Sequence, residues 1–217
     1  MLVKSRQQNT MNKFPQKTVE RLSRYRRLLM RYQYLEKPHI YSRDLASMLK
    51  INPVHVRRDL MLLGITGSHT NGYDVRELIR QISEKLECNA GKSACIIGFG
   101  HTGRAALEMF AHGFTPVKIR AIFDTSHKSI NKNFEGIPCY SMEKLTSVIE
   151  AENITLAIFT ETEENPETTV NLLIALGIQG IMNLTPVQLS LPEGIHVEEF
   201  DLVTSMIKLA YFSGKKA

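Results

Sequence analysis

Gly98, Gly100 and Gly103 lie in the stretch "GFGHTGRAALEMF", with the spacing of a loop that cradles a pyrophosphate. Each glycine has its own reason. Gly98 permits a tight turn after a strand, Gly100 lets a phosphate approach the backbone, and Gly103 lets the following helix pack on the strand. The start of that helix offers unpaired N–H groups and a partial positive charge. Phe99, His101 and Thr102 fill the loop between the glycines, and His101 either touches the phosphates or stands in solvent. A second strand, "VKIRAIF", ends at Asp124, 21 positions after Gly103. An acid about 20 residues on is where a dinucleotide's adenosine ribose is held. Its carboxylate accepts from a 2′-OH and repels a 2′-phosphate, which favours NAD over NADP, with Lys128 pulling weakly the other way. The other reading of Asp124 is a plain strand-end turn residue.

Such a loop needs a sheet behind it, and the surrounding chain has the rhythm of one. "SACIIGFG" is a buried strand turning at glycines, and "HTGRAALEMFAHG" is a helix. "IPCY", "ITLAIFT", "IQGIMNL" and "HVEEF" read as strands, while "SMEKLTSVIEAE", "NPETTVNLLIALG" and "DLVTSMIKLAYF" read as helices. The second of these helices has Asn165 as cap, Pro166 at its start and Gly177 past its end. Alternating strands and helices predict a parallel sheet covered on both faces. No His–Asp, Lys–Tyr or Cys–His set has catalytic spacing, and no substrate domain follows the nucleotide fold. A nicotinamide without a reaction partner points to sensing, so no catalytic residue is expected. Cys88, Cys95 and Cys139 form no C-x-x-C or metal spacing and read as buried or half-buried thiols, so no metal is expected either.

The first part of the chain has a different chemistry. Residues 1–60 hold fourteen Lys and Arg against four Asp and Glu, whereas the whole chain of 217 residues is only +5. A charge split of this kind predicts a polyanionic partner for the first part alone. Residues 1–16 read as a flexible basic arm. In "KTVERLSRYRRLLMRYQYLE", Val19, Leu22, Tyr25, Leu29 and Tyr32 make the buried stripe of an amphipathic helix, with arginines outside. Pro38 ends that segment. Next, Ser42 caps a short helix whose Leu45, Met48 and Leu49 face inward. After a break, Asn52 caps and Pro53 begins a third helix, with Val56, Leu60 and Leu63 buried and Gly64 as its stop. His55, Arg57 and Arg58 remain outside near its start. Two short helices joined by a tight turn, the second exposing basic side chains early, describe a helix-turn-helix whose second helix enters a major groove. Ile65-Thr66 and Tyr73–Val75 flank the turn residues Gly67 and Asn71-Gly72, a hairpin that reads as a wing with Ser68, His69 and Thr70 at its tip. His69 is the tip's candidate DNA contact, and "VRELIRQISEKLE" is a closing helix.

Hydrophobic residues make up 43% of the chain, which predicts a globular fold rather than disorder. No apolar run approaches the roughly 18 residues of a membrane span, and "MLVKSRQQNTMNKF" has no apolar core of a secretory signal, so a cytoplasmic location is expected.

These segments together resemble the Rex family of redox-sensing transcriptional repressors, over about Lys17 to Phe212. The resemblance rests on "VHVRRDL" with "GYDV", on "GFGHTG" with "AIFD", on "LGIQGIMNLTPVQLSLPEGIHVEEFDL", and on the closing "KLAYF". It implies an α/β chain with an N-terminal winged helix-turn-helix domain (17–88), a Rossmann-like parallel-sheet domain binding NAD(H) (89–200) and a C-terminal domain-swapped helix (201–217). It implies a homodimer on a palindromic double-stranded DNA operator, released by NADH. Arg57 and Arg58 match the family's DNA-reading pair, with His55 beside them. Gly98, Gly100, Gly103 and Asp124 match its cofactor motif. Thr160 and Asn183-Leu184-Thr185-Pro186 match strand ends near the nicotinamide, and Arg27 and Asp201 match a pair linking the DNA-binding domain to the swapped helix. The chain departs from the family pattern in four places: its wing lacks a basic pair, its third helix ends Met61-Leu62-Leu63, Glu161-Thr162 follow Thr160, and Met109-Phe110 stand where a nicotinamide-side Tyr occurs. The rival readings are a DNA-binding regulator with a different or vestigial nucleotide ligand, and a small NAD-dependent oxidoreductase.

Overall fold

The computed structural model describes residues 14–33, 35, 37–68, 70–86, 91–111, 115–160 and 166–214. The expectations for residues 1–13, His69, Cys88, Glu161, Thr162 and Asn165 lie outside the described residues. The chain divides into two units, Met1–Asn89 and Ala90–Ala217.

The first unit contains α1 (Gln16–Gln33), β1 (His39–Ile40), α2 (Ser42–Leu49), α3 (Pro53–Leu62), β2 (Tyr73–Asp74) and α4 (Val75–Lys85). Its core joins Leu22, Tyr25 and Leu29 of α1 to Leu45, Val56, Leu60, Leu78 and Ile82. The stripe on α1 begins at Thr18 rather than Val19, which is exposed. Met48 on α2 is also exposed, and Ala46 takes the inward place beside Leu45. Ser42 is the first residue of α2, not its cap. Tyr41 holds the cap position, and its backbone N–H donates to Asp44 at 3.3 Å. For α3 the cap is as read: Asn52 accepts from the Val54 N–H at 2.8 Å, and Pro53 opens the helix. Gly64 takes φ +75°, and the Ile65 N–H closes onto the Leu60 carbonyl at 2.9 Å.

That closure explains why Ile65-Thr66 is no strand. The Ile65 N–H is used by the helix end, and its side chain is in the core. The wing is a tight turn in which Ser68 and Gly72 exchange both backbone bonds, at 2.8 and 2.9 Å. The strand after it, β2, pairs antiparallel with β1 of the α1–α2 connection.

The second unit runs β3 (Ser93–Ile97), α5 (His101–Ala111), β4 (Lys118–Asp124), β5 (Asn133–Phe134), β6 (Ile137–Ser141), a 3₁₀ turn (Met142–Lys144), α6 (Leu145–Ala151), β7 (Leu156–Phe159), α7 (Pro166–Ala175), β8 (Gly180–Asn183), β9 (His196–Glu199) and α8 (Leu202–Ser213). The sheet order is β5-β6-β4-β3-β7-β8-β9. Every pair is parallel except β5 with β6, a hairpin whose turn residues Glu135 and Gly136 both have positive φ. Without β5 the order is 3-2-1-4-5-6, the doubly wound arrangement. Residues of β3 alternate between faces. Cys95 and Ile97 pack with Leu145, Ile149, Val170 and Leu173 from α6 and α7, while Ala94 and Ile96 pack with Ala106 and Leu107 from α5. No residue of α8 is buried in the single chain. Among the described residues no helix is long and apolar enough to cross a membrane, and no cluster of three metal-ligating side chains occurs.

Candidate nucleotide site and DNA-reading helix

The order of the sheet reverses between β3 and β7, and the carboxyl ends of these strands with β4 and β8 define one edge. Ligands of doubly wound sheets bind at that edge. Gly98 leaves β3 at φ +87°, a backbone angle that excludes most side chains, and its N–H donates to the Phe123 carbonyl at 2.8 Å. The α5 helix starts at His101, so the N–H groups of its first turn point out of its end. A Cβ on Gly103 would run into the Gly98 carbonyl oxygen and come within 3.1 Å of the Thr160 hydroxyl. The third glycine is thus set by contact with the first, as its spacing implied.

Thr160 lies just past β7 and is buried. Its hydroxyl donates to the Gly98 carbonyl at 2.8 Å and sits 3.1 Å from that of Ile97. It therefore fastens the glycine loop to the neighbouring strand. Asn183, at the end of β8, is also occupied within the chain. Its carbonyl oxygen accepts from the Thr185 N–H and hydroxyl, and its amide donates to the Val187 carbonyl at 2.7 Å. Both side chains shape the edge through bonds made within the chain. Phe99 is divided: its backbone is in the loop, but its ring is buried 4.5 Å from the Phe134 ring. His101 and Thr102 are exposed at the helix start.

Asp124 ends β4 and is buried. Its Oδ1 accepts from the N–H groups of Thr125 and Ser126, at 2.9 and 3.3 Å. No bond among the described residues falls on Oδ2, which leaves an acceptor at the sheet edge. Sequence reasoning missed Arg104, whose guanidinium lies 4.6 Å from the Phe99 ring and 5.0 Å from the Phe134 ring. Its signal was weak, since Phe134 arrives on a hairpin that the pattern did not show. Beneath the site, burial pushes the Cys95 thiol up to about 12. Burial, and then the charge of Asp124, push Cys139 up to about 11.

In the first unit, His55, Arg57 and Arg58 are exposed on α3. Asp59 points the opposite way and is buried. Arg21 of α1 grips it with two bonds of 2.6 Å, and the Tyr25 hydroxyl donates to it at 2.8 Å. The bond to Asp59 raises the Arg21 guanidinium further above its usual value. Burial first, and then Asp59, push the Tyr25 hydroxyl upward. This cluster locks the angle between α3 and α1. Its sequence signal was an acid on the apolar stripe 56, 59, 60, 63. Arg27 is exposed on α1. Asp201 caps α8, accepting from the Thr204 N–H at 2.9 Å and its hydroxyl at 2.6 Å, and these bonds hold its carboxyl below the usual value.

Comparison with known proteins gives two family matches, "CoA binding domain" over residues 89–187 and "Putative DNA-binding protein N-terminus" over 13–60. The redox-sensing transcriptional repressor Rex of Bacillus licheniformis is 31% identical over 201 residues, which is 93% of this chain and 94% of that protein. The chain belongs to the Rex family. Rex of Lactobacillus acidophilus is 30% identical over 92% of this chain and 95% of its own. Members with this name are transcriptional repressors rather than enzymes. The Rex fold extends to the solved Rex-family repressor RSP, which is 24% identical with a TM-score of 0.80 over 92% of this chain and 94% of RSP. RSP in complex with NAD⁺ and operator DNA has a TM-score of 0.81, at 24% identity and 92% coverage of both chains.

Proposed function

We propose that this Rex-family chain is a cytoplasmic, homodimeric repressor that binds a palindromic operator and is released from it by NADH. The observation that carries the reading is the pairing, on one chain, of an Arg-bearing helix-turn-helix with a doubly wound sheet whose glycine loop has no room for a Cβ at Gly103. The site fits a dinucleotide. Gly98, Gly100, Gly103 and the exposed N–H groups at His101 and Thr102 would hold the pyrophosphate, and Asp124 Oδ2 would accept from a ribose hydroxyl. Thr160 and Asn183 would form the floor near the nicotinamide. When bound, the nicotinamide supplies one changeable charge, positive when oxidised and absent when reduced. Asp201 of the partner's α8, with Glu161, would favour the cationic form.

A homodimer accounts for α8. Leu202, Val203, Met206, Ile207, Leu209, Tyr211 and Phe212 are each at least 61% exposed in the single chain. A helix this apolar needs a cover, and an exchanged helix across a two-fold axis supplies one. Arg27 and Asp201 would pair in the DNA-bound state, and His55, Arg57, Arg58 and His69 would face the DNA. Moving a two-state protein from 1:99 to 99:1 takes about 5.5 kcal/mol of differential binding. One charge in a partly dry cleft supplies roughly a few kcal/mol, so burial of α8 on closure would have to add the rest. Closure would move the recognition helices off the roughly 34–36 Å spacing of half-sites one turn apart.

The test is anisotropy of a labelled operator duplex at stated salt, titrated separately with NADH and NAD⁺. Release by micromolar NADH and not by equal NAD⁺ is expected, and binding indifferent to both overturns the sensing role. The match of residues 89–187 to "CoA binding domain" favours one second reading, a different adenine nucleotide as effector. A coenzyme A arm in the same titration decides between them.

A further inference from the structure

The outward face of α3 carries more than arginine. Positions 54, 57, 58 and 61 fall at i, i+3, i+4 and i+7, opposite the buried Val56, Asp59, Leu60 and Leu63. Val54 is 55% exposed and Met61 is 72% exposed, and with Arg57, Arg58 and Leu62 they line one shallow depression. An apolar side chain at each end of a cationic stripe gains nothing in water. The two arginines between them make no salt bridge among the described residues, unlike Arg21. The stripe therefore asks for an occupant that is anionic overall yet offers apolar points at its ends.

The major groove of DNA is such a surface. Its phosphates and guanine edges suit arginine, and its apolar feature is the 5-methyl group of thymine. From Val54 to Met61 is about 10 Å along the helix, or roughly three base steps. We infer that Val54 and Met61 select the operator by contact with thymine methyl groups on either side of the base pairs met by Arg57 and Arg58. This rests on the proposed DNA-binding function and adds what the helix reads.

The full-length protein would first select a duplex from a randomised pool. Each thymine of that duplex is then replaced, symmetrically in both half-sites, by deoxyuridine, which removes only the methyl. At one position under Val54 and one under Met61, affinity should fall about four-fold per half-site, from roughly 0.8 kcal/mol per buried methyl. Val54→Ala should bind the thymine and uracil forms equally at its own position while keeping the response at the Met61 position. Met61→Ala should do the converse, and Val54→Thr, which keeps one methyl, should restore the first response. A bound and specific duplex with no methyl dependence, or a dependence unchanged in both variants, overturns the inference alone. Failure to select any duplex overturns it together with the DNA-binding function.

Discussion

Asp59→Ala should destabilise the first unit and unseat its recognition helix. The carboxylate it removes is 2% exposed and takes two 2.6 Å bonds from Arg21 and one from Tyr25. The Tyr25 hydroxyl, fully buried, would lose this partner, at a cost of about 1–3 kcal/mol. The Arg21 side chain is 26% exposed and can turn toward water, so its loss is partial. The total is about 3 kcal/mol, at the lower end of the range for breaking a buried pair. Arg21→Met should cost more, about 4 kcal/mol, because the charge left behind is the buried one. The double change Arg21→Met with Asp59→Ala leaves no unpaired buried charge and should cost less than the sum of the singles, although the Tyr25 hydroxyl stays without this partner, at about 1–3 kcal/mol. Urea unfolding of the full-length protein, followed by circular dichroism, measures each variant and the coupling between them. DNA affinity of the two single variants should fall in the same order. A loss below 1 kcal/mol in Asp59→Ala, or a double variant whose cost is the sum of the singles, would refute the reasoning.

Gly103→Ala gains about 1 kcal/mol of helix propensity, but its Cβ meets the Gly98 carbonyl oxygen. The contact should win, with lower thermal stability and at least ten-fold weaker NADH binding by calorimetry; unchanged affinity counts against the loop as the phosphate site. Asp124→Ala should erode the preference for NADH over NADPH by about ten-fold in a fluorescence titration, because the acid that repels a 2′-phosphate is gone. The Cys95 and Cys139 thiols, raised to about 12 and 11, should stay unlabelled by iodoacetamide at pH 8 until urea is added. The same shift has a sign in stability. The folded value lies above the unfolded value of about 8.5, so stability is intact below that pH and is lost as pH rises toward 12. For Cys95 this amounts to roughly 2 kcal/mol by pH 10, and that share should vanish in Cys95→Ala while the Cys139 share remains.

The parts of this fold that the sequence made legible are those decided within a few residues or by a fixed distance along the chain. The Asn52 cap with Pro53, the glycine spacing of the loop and the 21 positions to Asp124 each answer to one local requirement, and each took the place expected of it. The parts that stayed hidden are decided by a distant partner. Thr160 reads as a strand-end residue until its hydroxyl is seen to reach back 62 positions to Gly98. The β1–β2 pair has two residues on each side, too few for any alternation to show. The β5–β6 turn uses Glu135-Gly136, outside the Asn-Gly and Asp-Gly pairs that mark a hairpin, and its absence from the reading also hid the Phe134 side of the Arg104 stack. Asp59 lies between these cases. An acid at the second place of a 56, 59, 60, 63 stripe is costly to bury unless it is paired or hydrogen-bonded, and α1 supplies Arg21, one turn before Tyr25, from among the arginines read as outside. The rule that a buried charge must be paired or hydrogen-bonded asks for a long-range partner at Asp59, whereas periodicity alone left the α1 arginines outside.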